Sequence, residues 1–302
     1  FFISSTEGCS RASQAWAQHV MSWKEKQTTP AAMSIDVEDW FQVQNLGIDP
    51  TLWESNEQRV EQNVNRMLEL LNENNVTCTC FILGWIAERH PETIKNIAAA
   101  GHEIASHGYN HELAYDLSHD QFRKDVKDAK SILEDLTGKQ VVGYRAPCFS
   151  ITDWTIDILK EEGYTYDSSS FSTIGHDRYG SLSDLESGVV VQEIREGFHE
   201  VCVSCLDVMG KQLPWAGGGY FRLLPYNIFR AGVKRILNKK HPYVFYIHPW
   251  EIDGAQPRVQ GISKQHTFRH YLNLKKCEKR WSRLLGDFKW MTVAELLAHE
   301  IN

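Results

Sequence analysis

From Met33 onward, short β-branched runs alternate with amphipathic segments of helical length, and this rhythm constrains the fold more than any other feature of the chain. The strand candidates are "MSIDV", "VTCTCFIL", "HEIAS", "QVVGYR", "YTYDSS" and "YVFYIHPW". Such alternation is the pattern of repeated β-α units around a largely parallel sheet. Between the runs, "RVEQNVNRMLELLNENN" puts Val60, Val64, Met67, Leu68 and Leu71 on one helical face. "SHDQFRKDVKDAKSILEDLTG" does the same with Phe122, Val126, Ala129, Ile132, Leu133 and Leu136, with Ser118 as N-cap and Gly138 as stop. "TDWTIDILKEEGY" predicts a shorter helix capped by Thr152 or Asp153, with Gly163 past its end.

The rhythm is absent at the start and breaks once later. Residues 1–32 lack sustained periodicity and read as a poorly ordered tail, leaving residues 33–302 as a single domain. Residues 33–175 and 236–255 form its expected core, 176–235 an insertion and 256–302 a C-terminal helical extension. Within the insertion, "GVVVQEIRE" and "EVCVSCLDV" suggest a β-hairpin. "PWAGGGYFRLLP" then sets three glycines among aromatics and Arg222, a backbone bare enough to approach a ligand or simply a mobile loop. "HTFRHYLNLKKCEKRWSRLLGDF" and "MTVAELLAHEI" predict two closing helices.

Composition excludes several classes. With 42% hydrophobic and 24% charged residues the chain is neither disordered nor fibrous. A net charge of -7 argues against nucleic acid as a partner. No run approaches the roughly eighteen apolar residues of a membrane helix. Localisation stays open: the chain as given favours the cytoplasm, but it begins at Phe1 rather than Met, which leaves room for an upstream signal or anchor. Seven scattered cysteines do not frame a small disulfide scaffold, and "CVSC" at 202–205 has no second pair with which to close a zinc site.

The unexpected polar residues cluster at strand ends. "SIDVEDW" finishes in three carboxylates, "EIASHGYNH" in two histidines, "VGYRAPCF" in an arginine, "YTYDSS" in an aspartate and "YVFYIHPW" in a histidine. In a parallel barrel these ends converge on one face, where active sites form. Two imidazoles and one carboxylate make an open three-ligand metal site; a second carboxylate can take a proton from water and a separate histidine can protonate a departing nitrogen. That set suits metal-assisted hydrolysis of an amide.

The order of an Asp on the first strand, "SHGYNH" after the third, "RAP" after the fourth, an acid after the fifth and "IH" on a late strand resembles the polysaccharide deacetylases of the NodB-homology family, carbohydrate esterase family 4. "DVEDWF", "GGGYFRLLPY" and "HPWEID" are similar to the subgroup from exopolysaccharide loci. The resemblance covers about residues 33–250. It implies an α/β fold, a distorted (β/α) barrel of about seven parallel strands, one divalent ion with Zn2+ as first expectation, and removal of N-acetyl groups from an oligo- or polysaccharide.

Carried over, it makes Asp36 the general base, oriented by Arg145, and His248 the general acid. His107 and His111 become metal ligands, and the backbone N–H of Cys148 an oxyanion donor. The third ligand is Glu38 or Asp39, because Val37 stands where the family's aspartate usually does; alternation puts Glu38 on the same side as Asp36. Asp167 either tunes His248 or merely finishes a strand. His102 reads as structural. Trp40, Tyr220 and Trp250, with Phe41 and Trp85, are candidates to stack on sugar rings, and Arg222 is a further substrate-binding candidate. The rival readings are hydrolysis of a small cyclic amide and a catalytically silent glycan-binding module.

Overall fold

The structure, a computed structural model, describes residues 24–171, 180–183 and 185–302. Of the expected tail, residues 1–23 lie outside the described residues, whereas residues 24–32 are described: Thr29 Oγ1 donates to Leu237 O, and Ala31 and Ala32 already belong to the first strand, so this part is fastened to the core rather than a loose tail. The chain enters the core through β1 (Ala31–Val37), every residue of which is buried, and passes three 3₁₀ turns to α1 (Val60–Asn74). It continues through β2 (Thr79–Ile82), α2 (Gly84–Arg89), α3 (Pro91–Ala99), β3 (Glu103–Ser106), α4 (His119–Thr137), β4 (Gly143–Tyr144), α5 (Asp153–Glu161) and β5 (Tyr166–Asp167). Then come β6 (Val191–Arg195), β7 (Phe198–Val201), β8 (Cys205–Val208), β9 (Lys211–Pro214), α6 (Gly218–Leu223), α7 (Tyr226–Asn238) and β10 (Tyr243–Ile247). Three helices close the chain: α8 (Lys264–Tyr271), α9 (Leu274–Asp287) and α10 (Val293–Ile301).

The main sheet runs β10-β1-β2-β3-β4-β5-β7-β6 and is parallel except for the antiparallel β6–β7 edge pair. All six strand candidates lie in it, and seven of its strands run parallel, as expected. The helix ends follow their sequence signals: Ser118 caps α4 through Gln121 N, and Gly138 ends it at φ 64°. Thr152 occupies the N-cap of α5, and Gly163 follows its end at φ 81°.

Two expectations need correction. The hairpin placed in an insertion is part of the barrel, because β7 hydrogen-bonds β5 in parallel. "EVCVSCLDV" is thus divided between sheets: β7 stops at Val201, and β8 pairs only with β9. Between them Val203 N donates to Ser170 O and Ser204 N to Val244 O, so this segment bridges the gap toward β10. The long helix predicted over 266–288 is two, broken where Asn273 takes φ 53°. The Arg222 side chain collects the carbonyls of Arg269, His270 and Leu272 at that break.

Strand alternation divides the core. On β1, Ala31, Met33, Ile35 and Val37 pack under the helices, while Ala32 belongs to a second cluster with Phe81, Ala105, Tyr166 and Val244. Val293, Leu296 and Leu297 of α10 join that second cluster, and the helix start is tied to the sheet by Val293 N to Thr79 Oγ1 and Ala294 N to Glu103 Oε2. Glu103 opens β3, so α10 covers the end of the barrel opposite the strand C-termini. Among the described residues no helix is long and apolar enough to cross a membrane.

Candidate active site

The three carboxylates after β1 take different directions. Asp36 continues the inward row begun by Ser34: Arg145 Nη1 reaches both, at 2.9 Å from Ser34 Oγ and 2.6 Å from Asp36 Oδ1. Glu38, the next residue of that row, sends Oε2 to within 2.9 Å of His111 Nε2. Asp39 turns the other way. Its Oδ1 accepts from Trp40 N, and its Oδ2 from Arg59 N and Val60 N, so it ties the strand end to the start of α1. Burial pushes its carboxyl up to about 6. Of the two candidate ligands, Glu38 faces the histidines and Asp39 does not.

His107 and His111 sit on the loop after β3, whose shape depends on left-handed backbone at Gly108 (φ 75°) and His111 (φ 57°). Asp125 of α4 accepts from Tyr109 N and Asn110 N and so fastens the loop from outside. His107 Nδ1 lies 2.7 Å from the Arg145 carbonyl; donation from Nδ1–H to that oxygen leaves Nε2 to face the site. Ligand atoms of Glu38, His107 and His111 all lie within 4.8 Å of one another, and all three side chains are buried. One carboxylate and two imidazoles form the donor set of an open zinc-type site, so these residues fit a divalent ion. Burial pushes the His107 imidazole down to about 4, which keeps it neutral and able to ligate. Burial would raise the Glu38 carboxyl, but the imidazoles of His111 and His248 prevail and hold it well below the usual carboxylate range.

Arg145, fully buried, stands over the Phe81 ring at 4.1 Å. Its Nε donates to Ser168 O and its Nη2 to Ser168 Oγ, so four bonds fix the guanidinium beside Asp36. The turn that follows is left-handed at Cys148 (φ 51°) and Phe149 (φ 59°).

His248 lies at the end of β10, with Nε2 3.8 Å from Asp36 Oδ2 and 3.4 Å from Glu38 Oε1. Its Nδ1 is 2.8 Å from Glu251 Oε1, and Glu251 Oε2 accepts from Arg222 Nε at 2.6 Å. Burial would lower the imidazole; the carboxylates of Glu38, Glu251 and Asp36 outweigh it and raise it to about 9. Burial would likewise raise Glu251, but Arg222 and His248 bring it down to about 2. Glu251 escaped the sequence reading, although its spacing in "HPWE" lets it reach back to the His248 N–H as a capping residue does.

Several expected roles do not match the placement of the side chains. Asp167 accepts from Ser169 N and Ser169 Oγ and pairs with the buried Glu200, so its bonds stay on the β5–β7 side rather than reaching His248. Burial raises both carboxyls. Arg222 is buried against Glu251 and backbone carbonyls, with no face toward solvent. Trp250 is stacked between His248 and His270 and donates Nε1–H to Glu38 Oε1. Trp40 is buried with Nε1–H on Glu57 O, and Phe41 and Trp85 are buried beside Trp53. Tyr220 alone among these aromatics is well exposed, at 40%. His102 takes the structural role expected of it, with Nδ1 accepting from Cys78 N. Cys202 and Cys205 belong to no cluster of metal-ligating side chains among the described residues.

Parts of the chain are similar to known proteins. The polysaccharide deacetylase family model matches residues 51–166, and a domain of unknown function (DUF3473) matches residues 168–298. A peptidoglycan deacetylase-like protein of Gibberella zeae is 38% identical over 127 residues, covering 41% of this chain and 36% of its own length. The peptidoglycan deacetylase of Helicobacter pylori is 33% identical over 109 residues, 36% of this chain and 37% of that protein. A Bacillus cereus peptidoglycan-N-acetylglucosamine deacetylase is 28% identical over 174 residues, 52% and 61% of the two chains. The chain thus spans from about a third to three-fifths of the length of these relatives. In fold it is similar to a Mycobacterium smegmatis crystal structure assigned to the polysaccharide deacetylases, with TM-score 0.62, 24% identity and 90% of each chain covered.

Proposed function

We propose, from the match of residues 51–166 to the polysaccharide deacetylase family model and from the geometry of the site, that the chain removes N-acetyl groups from amino sugars of a bacterial polysaccharide in a metal-dependent reaction. The products are acetate and a free amine. The observation that carries this reading is the pair Asp36 and His248, which face each other at 3.8 Å beside the Glu38–His107–His111 triplet.

A divalent ion held by Glu38, His107 and His111, zinc being the first expectation, would supply Lewis acidity to the attacking water and to the acetyl carbonyl. Asp36 takes the proton of the water through Oδ2, because Oδ1 is engaged by Arg145. His248 gives its Nε2 proton to the nitrogen as the carbon–nitrogen bond breaks, with Nδ1–H held on Glu251. The Cys148 N–H supports the negative oxygen of the tetrahedral stage, a kind of contribution worth about 3 kcal/mol where measured.

The test is acetate release from chitin-like, peptidoglycan and exopolysaccharide oligomers, with metal content determined on the same sample. Activity abolished by a chelator, restored by zinc and absent in Asp36→Asn is the expected result. Turnover of cyclic ureides in place of N-acetylated glycans, or full activity in a folded Asp36→Asn, overturns it.

A further inference from the structure

We propose that Glu251, seated between the Arg222 guanidinium and the bare backbone of Gly218, is the positioning residue of the nitrogen-protonating step, so that the unit matched as a domain of unknown function completes the catalytic site. This inference rests on the deacetylase reading above. Glu251 touches His248 and not the reacting atoms: one oxygen meets His248 Nδ1 at 2.8 Å and the other accepts from Arg222 Nε at 2.6 Å. With Nδ1–H donated to a carboxylate, the ring has one orientation and presents Nε2 toward Asp36 and Glu38.

Three independent observations give Glu251 this task. The acid expected on β5, Asp167, is engaged by Ser169 and Glu200. Gly218 explains part of the triple glycine: a Cβ there would stand 2.0 Å from Glu251 Oε1 and 2.2 Å from Oε2, so only glycine leaves room for the carboxylate. Gly217 does the same for the Tyr246 ring, while a Cβ on Gly219 would meet nothing. Finally, Arg222 is itself fixed by the carbonyls of Arg269, His270 and Leu272, which anchors the clamp in the C-terminal helices. His248, Glu251, Gly218 and Arg222 all fall within residues 168–298.

In amide hydrolysis water adds its oxygen to the carbonyl carbon, the carbon–nitrogen bond breaks, and the amine leaves only after accepting a proton from His248. An aryl ester such as 4-nitrophenyl acetate releases a stable phenolate that needs no proton. The ratio of kcat/KM for N-acetylglucosamine oligomers to that for 4-nitrophenyl acetate, measured on one zinc-loaded sample, therefore reports the acid step and cancels any difference in folded fraction.

Glu251→Gln removes the carboxylate, and Gly218→Ala displaces it without changing a polar group. Both lower the ratio by about 100-fold, the scale of a general-acid contribution. A ratio within threefold of wild type in both variants, whether because the two activities fall together or because neither changes, overturns the role of Glu251. A wild-type protein that cleaves the ester but no N-acetylated glycan overturns the deacetylase reading instead.

Discussion

Glu38 Oε2 stands 2.9 Å from His111 Nε2, whereas the adjacent Asp39 spends both of its oxygens on backbone N–H groups 1, 20 and 21 residues further along the chain. One peptide unit separates a ligand-like carboxylate from a structural one. Glu38→Ala is expected to weaken zinc binding by at least about 100-fold, as loss of one ligand from a three-residue set implies. Asp39→Ala keeps the metal but orphans several N–H donors, for a loss of about 2–3 kcal/mol. Zinc titration and urea unfolding of the two variants check this; loss of metal in Asp39→Ala with Glu38→Ala unaffected reverses the assignment.

Arg145 and Asp36 are unequal partners. Arg145→Met strands a buried carboxylate and is expected to cost about 3–5 kcal/mol. Asp36→Asn leaves the guanidinium its bonds to Ser34 and Ser168, so it stays folded while acetate release drops by more than about 100-fold. Equal destabilisation by the two substitutions would contradict this asymmetry.

His248 makes the metal-free protein pH-sensitive. Its imidazole is raised from 6.5 to about 9 by Glu38, Glu251 and Asp36 against the opposing effect of burial. The folded state therefore binds the proton more tightly than the unfolded chain, and the resulting stability is complete below about pH 6.5 and is lost as pH rises through about 9. In EDTA, the Tm difference between wild type and His248→Gln should shrink from pH 6 to pH 10. A difference that grows over that interval refutes the prediction.

Gly108 has φ 75°, and a Cβ on it would stand 2.6 Å from Asp125 Oδ2, the carboxylate that fastens the His107–His111 loop. Gly108→Ala should cost upwards of about 1 kcal/mol from backbone strain, with zinc affinity reduced about tenfold because the imidazoles lose their support. Unchanged Tm and unchanged affinity would show the loop to be indifferent to this anchor.

Much of the scaffold was legible in local pattern. Six strand candidates, the Ser118 and Thr152 caps and the glycine stops at Gly138 and Gly163 sit where side-chain periodicity and backbone preference put them. The extent of the barrel was not. β7 pairs with β5 across more than thirty residues of chain, and nothing within "EVCVSCLDV" marks the point where it leaves one sheet for another. Arg222 and Trp250 misled for a related reason: a guanidinium or an indole looks available to a ligand until its burial is known, and burial is a property of the neighbours that pack on it.

What the amino-acid order determined by itself was which groups stand at the strand ends, since a two-residue period and short connections carry Asp36, His107, Arg145 and His248 to one rim. What only the tertiary structure decided was how those groups are partnered. Glu38 rather than Asp39 meets the histidines because the N–H groups of Arg59 and Val60 claim Asp39. Glu251 rather than Asp167 holds His248 because Glu200 and Ser169 occupy Asp167 and Gly218 leaves Glu251 its space. A buried carboxylate goes to whichever donors its surroundings offer, and those donors come from distant parts of the chain.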